Sequence, residues 1–299
     1  MNNSTKLQPS NPSGKMEFAE LVAWCTVFTI VDIAIVFGNS LTIAVFYINK
    51  RLLRTRANYF LINLAVADML VGTIALPMYV YLLASAWKFG HQEYKTSLYR
   101  IYLVVDIFVG CASVFTLTII ALERLFCVSW PHVHRKMTLN VYYMQLGLLW
   151  LLSAMVAALR LMYAYKLLTI NFFMYVLIST FAVSLSVICI AYTIIWSEMK
   201  FRLKKKGKQK YEKRRSSNEQ EKRLAIILST VTVVFVFTWL PFHVVNTIAF
   251  FCQGCRNFAP QFAFVLKVFH FGNSFVNPIV YSFLVPEFKR TVKKLLRRR

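Results

Sequence analysis

Polar and apolar positions along this chain sort into long blocks, not into the short alternations of a soluble fold. Apolar stretches long enough to cross ~30 Å of hydrocarbon, about 20 residues each, recur seven times. They lie near 21–48, 58–85, 99–126, 140–163, 169–197, 224–251 and 260–284. Each is read as a helix, because only a helix or a closed barrel satisfies every backbone polar group in lipid. The fourth and fifth are joined by a very short link around Tyr165–Ile170. Met1–Lys15 is polar and the first stretch is too long for the apolar core of a leader, so no cleavable signal is expected. No internal repeat is visible. The pattern predicts an all-α membrane fold: a seven-transmembrane helix bundle over 21–285, an N-terminal tail over 1–20, and a short amphipathic basic C-terminal helix over 286–299.

Composition excludes a soluble alternative. With 58% of residues apolar and only 16% charged, a soluble chain could not cover its own surface. The net charge of +23 points at first to nucleic acid, but the positions of the basic residues remove that reading. Of 35 Lys/Arg, 25 fall in the links after stretches 1, 3 and 5 and in the tail after stretch 7, against 8 on the other side. Positive charge collects on the cytoplasmic face, so the N-terminus of this multi-pass protein lies outside, as expected for a plasma-membrane protein with an extracellular N-terminus. The basic third cytoplasmic link, Lys200–Arg223, is expected to meet anionic lipid. Asn2 and Asn3 each begin an Asn-X-Ser/Thr sequon on the extracellular side and are candidate glycosylation sites, whereas Asn11 is followed by Pro12.

Ionisable residues inside a span are costly and are functional candidates by default. Here they are Asp32, Asp68, Asp106, Glu123, Arg124 and Lys267, with Asn39, Asn273 and Asn277 as uncharged companions. Their contexts are specific: Gly38-Asn39 in span 1, Leu64-Ala65-Val66-Ala67-Asp68 in span 2, and Glu123-Arg124-Leu125 in span 3 with Pro131 beyond. Span 4 has Trp150, span 6 has Phe235-Val236-Phe237-Thr238-Trp239-Leu240-Pro241-Phe242, and span 7 ends Asn277-Pro278-Ile279-Val280-Tyr281, with Phe288 following. Trp87-Lys88-Phe89-Gly90 lies in the loop after span 2. In this order, across essentially the whole chain, the set resembles the rhodopsin-like (class A) G-protein-coupled receptors. A channel or transporter is the rival class; it would more often show inverted repeats or paired broken helices.

The resemblance implies a receptor and not an enzyme, coupled to a heterotrimeric G protein. It implies that Asp68, Ser113, Trp239, Asn273 and Asn277 line a pocket for an allosteric Na⁺, with a purely structural hydrogen-bond network as the alternative. Arg124 would be the cytoplasmic switch, held at rest by Glu123 and by Glu221 of span 6; Tyr192 and Tyr281 match tyrosines that swing inward on activation.

Two departures qualify the match. No cysteine stands at the top of span 3, where Tyr99 is found, and Ser184 replaces the span-5 proline. Both absences resemble the melanocortin, lysophospholipid and cannabinoid branch. In the third extracellular loop Cys252-Gln253-Gly254-Cys255 is expected to form a local disulfide.

Candidate ligand contacts are Asp106, Trp239, His243, Asn246, Lys267 and His270. Asp106 sits where amine receptors hold the ligand's ammonium, but Lys267 and His270 project into the same space, and an internal Asp106–Lys267 pair is the competing reading. His243, Asn246 and the CxxC loop resemble the adenosine receptors, which makes a nucleoside the first ligand expectation; an amine, lipid or peptide is the alternative. His243 and Asn246 could instead satisfy each other. A retinal-linking lysine would fall at Phe271, so Lys267 is one turn too high for an opsin.

Overall fold

The computed structural model describes residues 16–50, 52–89, 96–205, 215–256, 259–284 and 286–297, with the side chains of 202–232 outside that description. Asn2 and Asn3 lie outside the described residues. Among the described residues, eight principal helices run in chain order. They are α1 Phe18–Ile48, α2 Asn58–Phe89, α3 Ser97–Ser129, α4 Leu139–Ala164, α5 Ile170–Lys205, α6 Arg215–Phe251, α7 Pro260–Leu284 and α8 Pro286–Arg297. A short helix, Pro131–Lys136, fills part of the link after α3.

Every predicted span corresponds to one helix, and the differences lie at the ends. Helices α5 and α6 run well past the apolar stretches on the cytoplasmic side, because Lys, Arg, Glu and Gln propagate a helix as well as apolar residues do. Among the described residues, six helices are long and apolar enough to cross a membrane by length and composition. Helix α7 is not among the six, since it spends positions on Lys267, His270, Asn273 and Asn277.

Packing forms two apolar layers. One gathers Leu64, Leu117, Ile120, Tyr142, Tyr281 and Phe288 towards the cytoplasm; the other gathers Phe28, Ile35, Val71, Val109 and Phe271 nearer the outside. Trp150 of α4 donates to Asn63 Oδ1 at 2.9 Å, and Asn63 Nδ2 donates to Thr116 at 2.8 Å, so one amide ties α4, α2 and α3 together. Gly38 permits a close approach of α1 to α7: a Cβ there would lie 3.0 Å from the ring of Pro278.

Proline placement explains a second α1–α7 bond. Pro278 has no N–H to give the carbonyl four residues back, that of Ser274. Asn39 Nδ2 donates to that carbonyl instead, at 2.9 Å. Helix α8 is anchored by Phe288, which is buried with its ring 6.3 Å from those of Phe46 and Tyr281. Its Lys289, Arg290, Lys293, Lys294 and Arg297 are exposed.

Candidate functional site

At the extracellular end of the bundle, α3 and α7 are joined by a buried polar cluster. Lys267 Nζ lies 3.0 Å from Asp106 Oδ2 and donates to Tyr102 Oη at 3.0 Å. Tyr102 donates to the same carboxylate oxygen at 3.4 Å, and His270 Nε2 lies 3.3 Å from Asp106 Oδ1. Four rings surround the ammonium, with centroids at 4.6 Å for Phe242, 4.9 Å for Phe271, 5.5 Å for Tyr79 and 5.6 Å for Tyr102. Both charged side chains are nearly buried, at 14% exposure for Lys267 and 13% for Asp106. The structure therefore places the lysine against the carboxylate.

Beneath this cluster His270 stacks on Trp239, centroids 5.1 Å apart at 22°. His243 packs against Phe181 at 3.9 Å and Trp239 at 4.7 Å. The alternative that His243 and Asn246 satisfy each other is not realised among the described residues. Asn246 is exposed one turn above, and its Nδ2 donates to its own helix at Phe242 O, 2.9 Å away, while the buried His243 Nε2 has no partner among the described residues. A cavity of about 10 Å³, room for roughly one water, runs from Asp106 and His270 past Trp239 to Ser113, Asn273 and Ser274.

The central group is assembled from α2, α3, α6 and α7. Asp68 is fully buried and accepts from Asn277 Nδ2 at 2.8 Å. Thr238 donates to Asn273 Oδ1 at 3.1 Å. Asp68 Oδ1 and Ser113 Oγ are buried without a hydrogen-bond partner among the described residues. Unpaired oxygens of this kind fit a hard cation.

At the cytoplasmic end Glu123 and Arg124 form an ion pair within one turn of α3. The other Glu123 oxygen meets His134 Nε2 at 2.9 Å and Tyr142 Oη at 3.4 Å. Glu221 lies on α6, but its side chain is outside the described residues. Tyr281 is buried with its hydroxyl unpartnered among the described residues, and Tyr192 packs at the edge of the same apolar layer. Cys252 and Cys255 are joined by a disulfide.

Residues 38–281 match the family described as 7 transmembrane receptor (rhodopsin family). The chain belongs to that family. The receptor is accordingly a multi-pass plasma-membrane protein that takes an extracellular signal to a G protein, and it is not an enzyme. Neuropeptide Y receptor type 2 of Sus scrofa is 27% identical to it, over 95% of this chain and 78% of the relative. The Gallus gallus counterpart is 28% identical, over 93% and 75%. Somatostatin receptor type 2 of Mus musculus is 28% identical, over 97% and 82%.

Sequence reasoning missed several members of these clusters. Tyr102 stands one turn before Asp106, and that i, i+4 spacing was the available signal. His134 lies in a link, where a histidine ordinarily faces solvent, and nothing local marked it as a partner of Glu123. Tyr79 and Tyr142 gave no signal, because tyrosines are common in membrane helices.

Proposed function

We propose that the extracellular ligand of this receptor is a peptide, bound above the Asp106–Lys267 pair and signalling through Arg124 to a heterotrimeric G protein. The observation that carries this reading is the name borne by the relatives: peptide receptors, matched over nine-tenths or more of this chain. It displaces the nucleoside expectation in favour of the peptide alternative. The geometry agrees in kind. An amine would have to compete with Lys267 for Asp106.

In this reading the polar clusters act in series. Ligand contact near Trp239, His243 and His270 biases the packing of α6; Asp68, Ser113, Asn273 and Asn277 favour the resting packing by holding Na⁺; Arg124 leaves Glu123 as the cytoplasmic mouth opens. The bound Na⁺ would supply positive charge opposite the Asp68 carboxylate. The extracellular tail precedes α1, which takes Phe18–Glu20 from the expected 1–20, and the α8 cations together with the third cytoplasmic link contact anionic lipid.

The test is a G-protein dissociation assay on cells expressing the receptor, screened with peptides, nucleosides, amines and lipids. Peptide agonism that vanishes in Arg124→Ala at equal ligand binding is the expected result. Saturable agonism by a nucleoside, with none by peptides, would overturn the ligand reading.

A further inference from the structure

We propose that Lys267 is the tethered occupant of an ammonium-binding subsite, and that by filling it the receptor refuses small primary amines. An ion pair needs only two charges. What surrounds Lys267 Nζ is more: a carboxylate oxygen and a phenol oxygen each at 3.0 Å, and aromatic rings contributed by Tyr79 of α2, Tyr102 of α3, Phe242 of α6 and Phe271 of α7. Aromatic faces closed round a cation beside an acid recognise an ammonium group whatever carries it.

The two partners are not equally mobile. Asp106 sits on a short side chain and is held by Lys267, Tyr102 and His270. Lys267 reaches the site on a four-carbon stem with freely rotating bonds, so it is the removable member. While it is in place, an incoming monoamine would put a second cation beside the first within the same cage, and like charges at contact repel strongly at low dielectric. Specificity against amines thus comes from a residue that mimics them. The inference rests on the cleft being the ligand cleft, and not on the ligand being a peptide.

The experiment is chemical rescue. Lys267→Ala removes a propylammonium group and nothing else, so the probe is n-propylammonium chloride, with 1-propanol and sodium propionate as neutral and anionic counterparts. Purified receptor in nanodiscs is followed by thermal unfolding and by basal nucleotide exchange on a G protein. The expected result is a saturable rise in the melting temperature of Lys267→Ala with n-propylammonium alone, half-maximal at about millimolar concentration for so small a ligand. Basal exchange should return to the wild-type level over the same range. Wild type, Asp106→Asn/Lys267→Ala and the space-filling Lys267→Met should not respond. An equal shift with 1-propanol, or an equal shift in wild type or Lys267→Met, would overturn the proposal. If Lys267→Ala yields no folded receptor, the amine is supplied during expression: recovery of surface receptor supports the subsite, and its absence refutes it. A peptide screen without agonists would not alter this outcome, and a failed rescue would not alter that of the screen.

Discussion

Replacing Glu123 by Gln removes one negative charge and almost no volume from the cytoplasmic cluster. Glu123 is 4% exposed and Arg124 11%, so solvent does little to screen the pair. The glutamate also meets His134 at 2.9 Å and Tyr142 at 3.4 Å. Hydrogen bonds to a charged group contribute roughly 1.5–3 kcal/mol, against roughly 0.5–1.5 kcal/mol for neutral ones. Neutralisation should therefore cost the resting state about 1–2 kcal/mol at Arg124 alone. Only the part made at rest and released on activation shifts the equilibrium, and about 1.4 kcal/mol of it raises the active population tenfold. The expected outcome is ligand-free nucleotide exchange about tenfold above wild type, normalised to folded receptor. His134→Ala should give a smaller rise, since it removes one bond and leaves the Arg124 pair. Glu123→Gln/Arg124→Ala should be silent if, as proposed, the residue set free is also the one that engages the G protein. Normal folding of Glu123→Gln with wild-type basal exchange would refute the idea that this cluster restrains Arg124.

Asp68→Asn should abolish any effect of Na⁺ on agonist affinity, because an amide holds a cation far less well than the buried carboxylate does; a wild type whose agonist affinity ignores Na⁺ would reduce the cluster to a structural role. Gly110→Val should lower the melting temperature by the equivalent of about 1–3 kcal/mol, since even a Cβ at Gly110 would stand 3.1 Å from Trp239 Cη2. An unchanged melting temperature would show that Trp239 is free to move.

The spans were legible because hydrocarbon sets a length and forbids unpaired backbone, constraints that act on composition directly. Their cytoplasmic ends were not, because Lys200–Lys205 continues α5 on helix propensity alone, outside any apolar pattern. Asp106 and Lys267 stood out for their cost in a membrane. The cage round Lys267 did not, because Tyr79, Phe242 and Phe271 become a site only when three helices converge. His243 and Asn246 mislead for a related reason: their spacing puts them on one helix face, but the amide finds its own backbone closer than the imidazole. Helix α7 is the extreme case. Lys267, His270, Ser274, Asn277 and Tyr281 recur at three- and four-residue spacing, one stripe that touches the extracellular polar cluster, the central polar group and the cytoplasmic layer. That stripe is what makes α7 too polar to rank with the other six spans.

The stripe is fixed in rotation by a bond whose logic can be tested. Pro278 leaves the Ser274 carbonyl without its helical donor, and Asn39 Nδ2 supplies one from α1 at 2.9 Å while also bonding Ile35 O at 3.0 Å. Asn39 is wholly buried, so Asn39→Ala leaves a carbonyl unpaired in an apolar environment, a penalty of about 1–3 kcal/mol. With Pro278→Ala the α7 backbone recovers its own donor, and the carbonyl no longer depends on α1. Asn39→Ala should then cost clearly less in the Pro278→Ala background than in wild type, a coupling of about 1 kcal/mol or more in thermal unfolding. The competing explanation is packing: α1 passes so close to the Pro278 ring that even a Cβ at Gly38 would stand 3.0 Å from it, and loss of that contact would destabilise the two variants independently. Strictly additive losses would favour packing and remove the proline-orphaned carbonyl as the reason an asparagine stands at position 39.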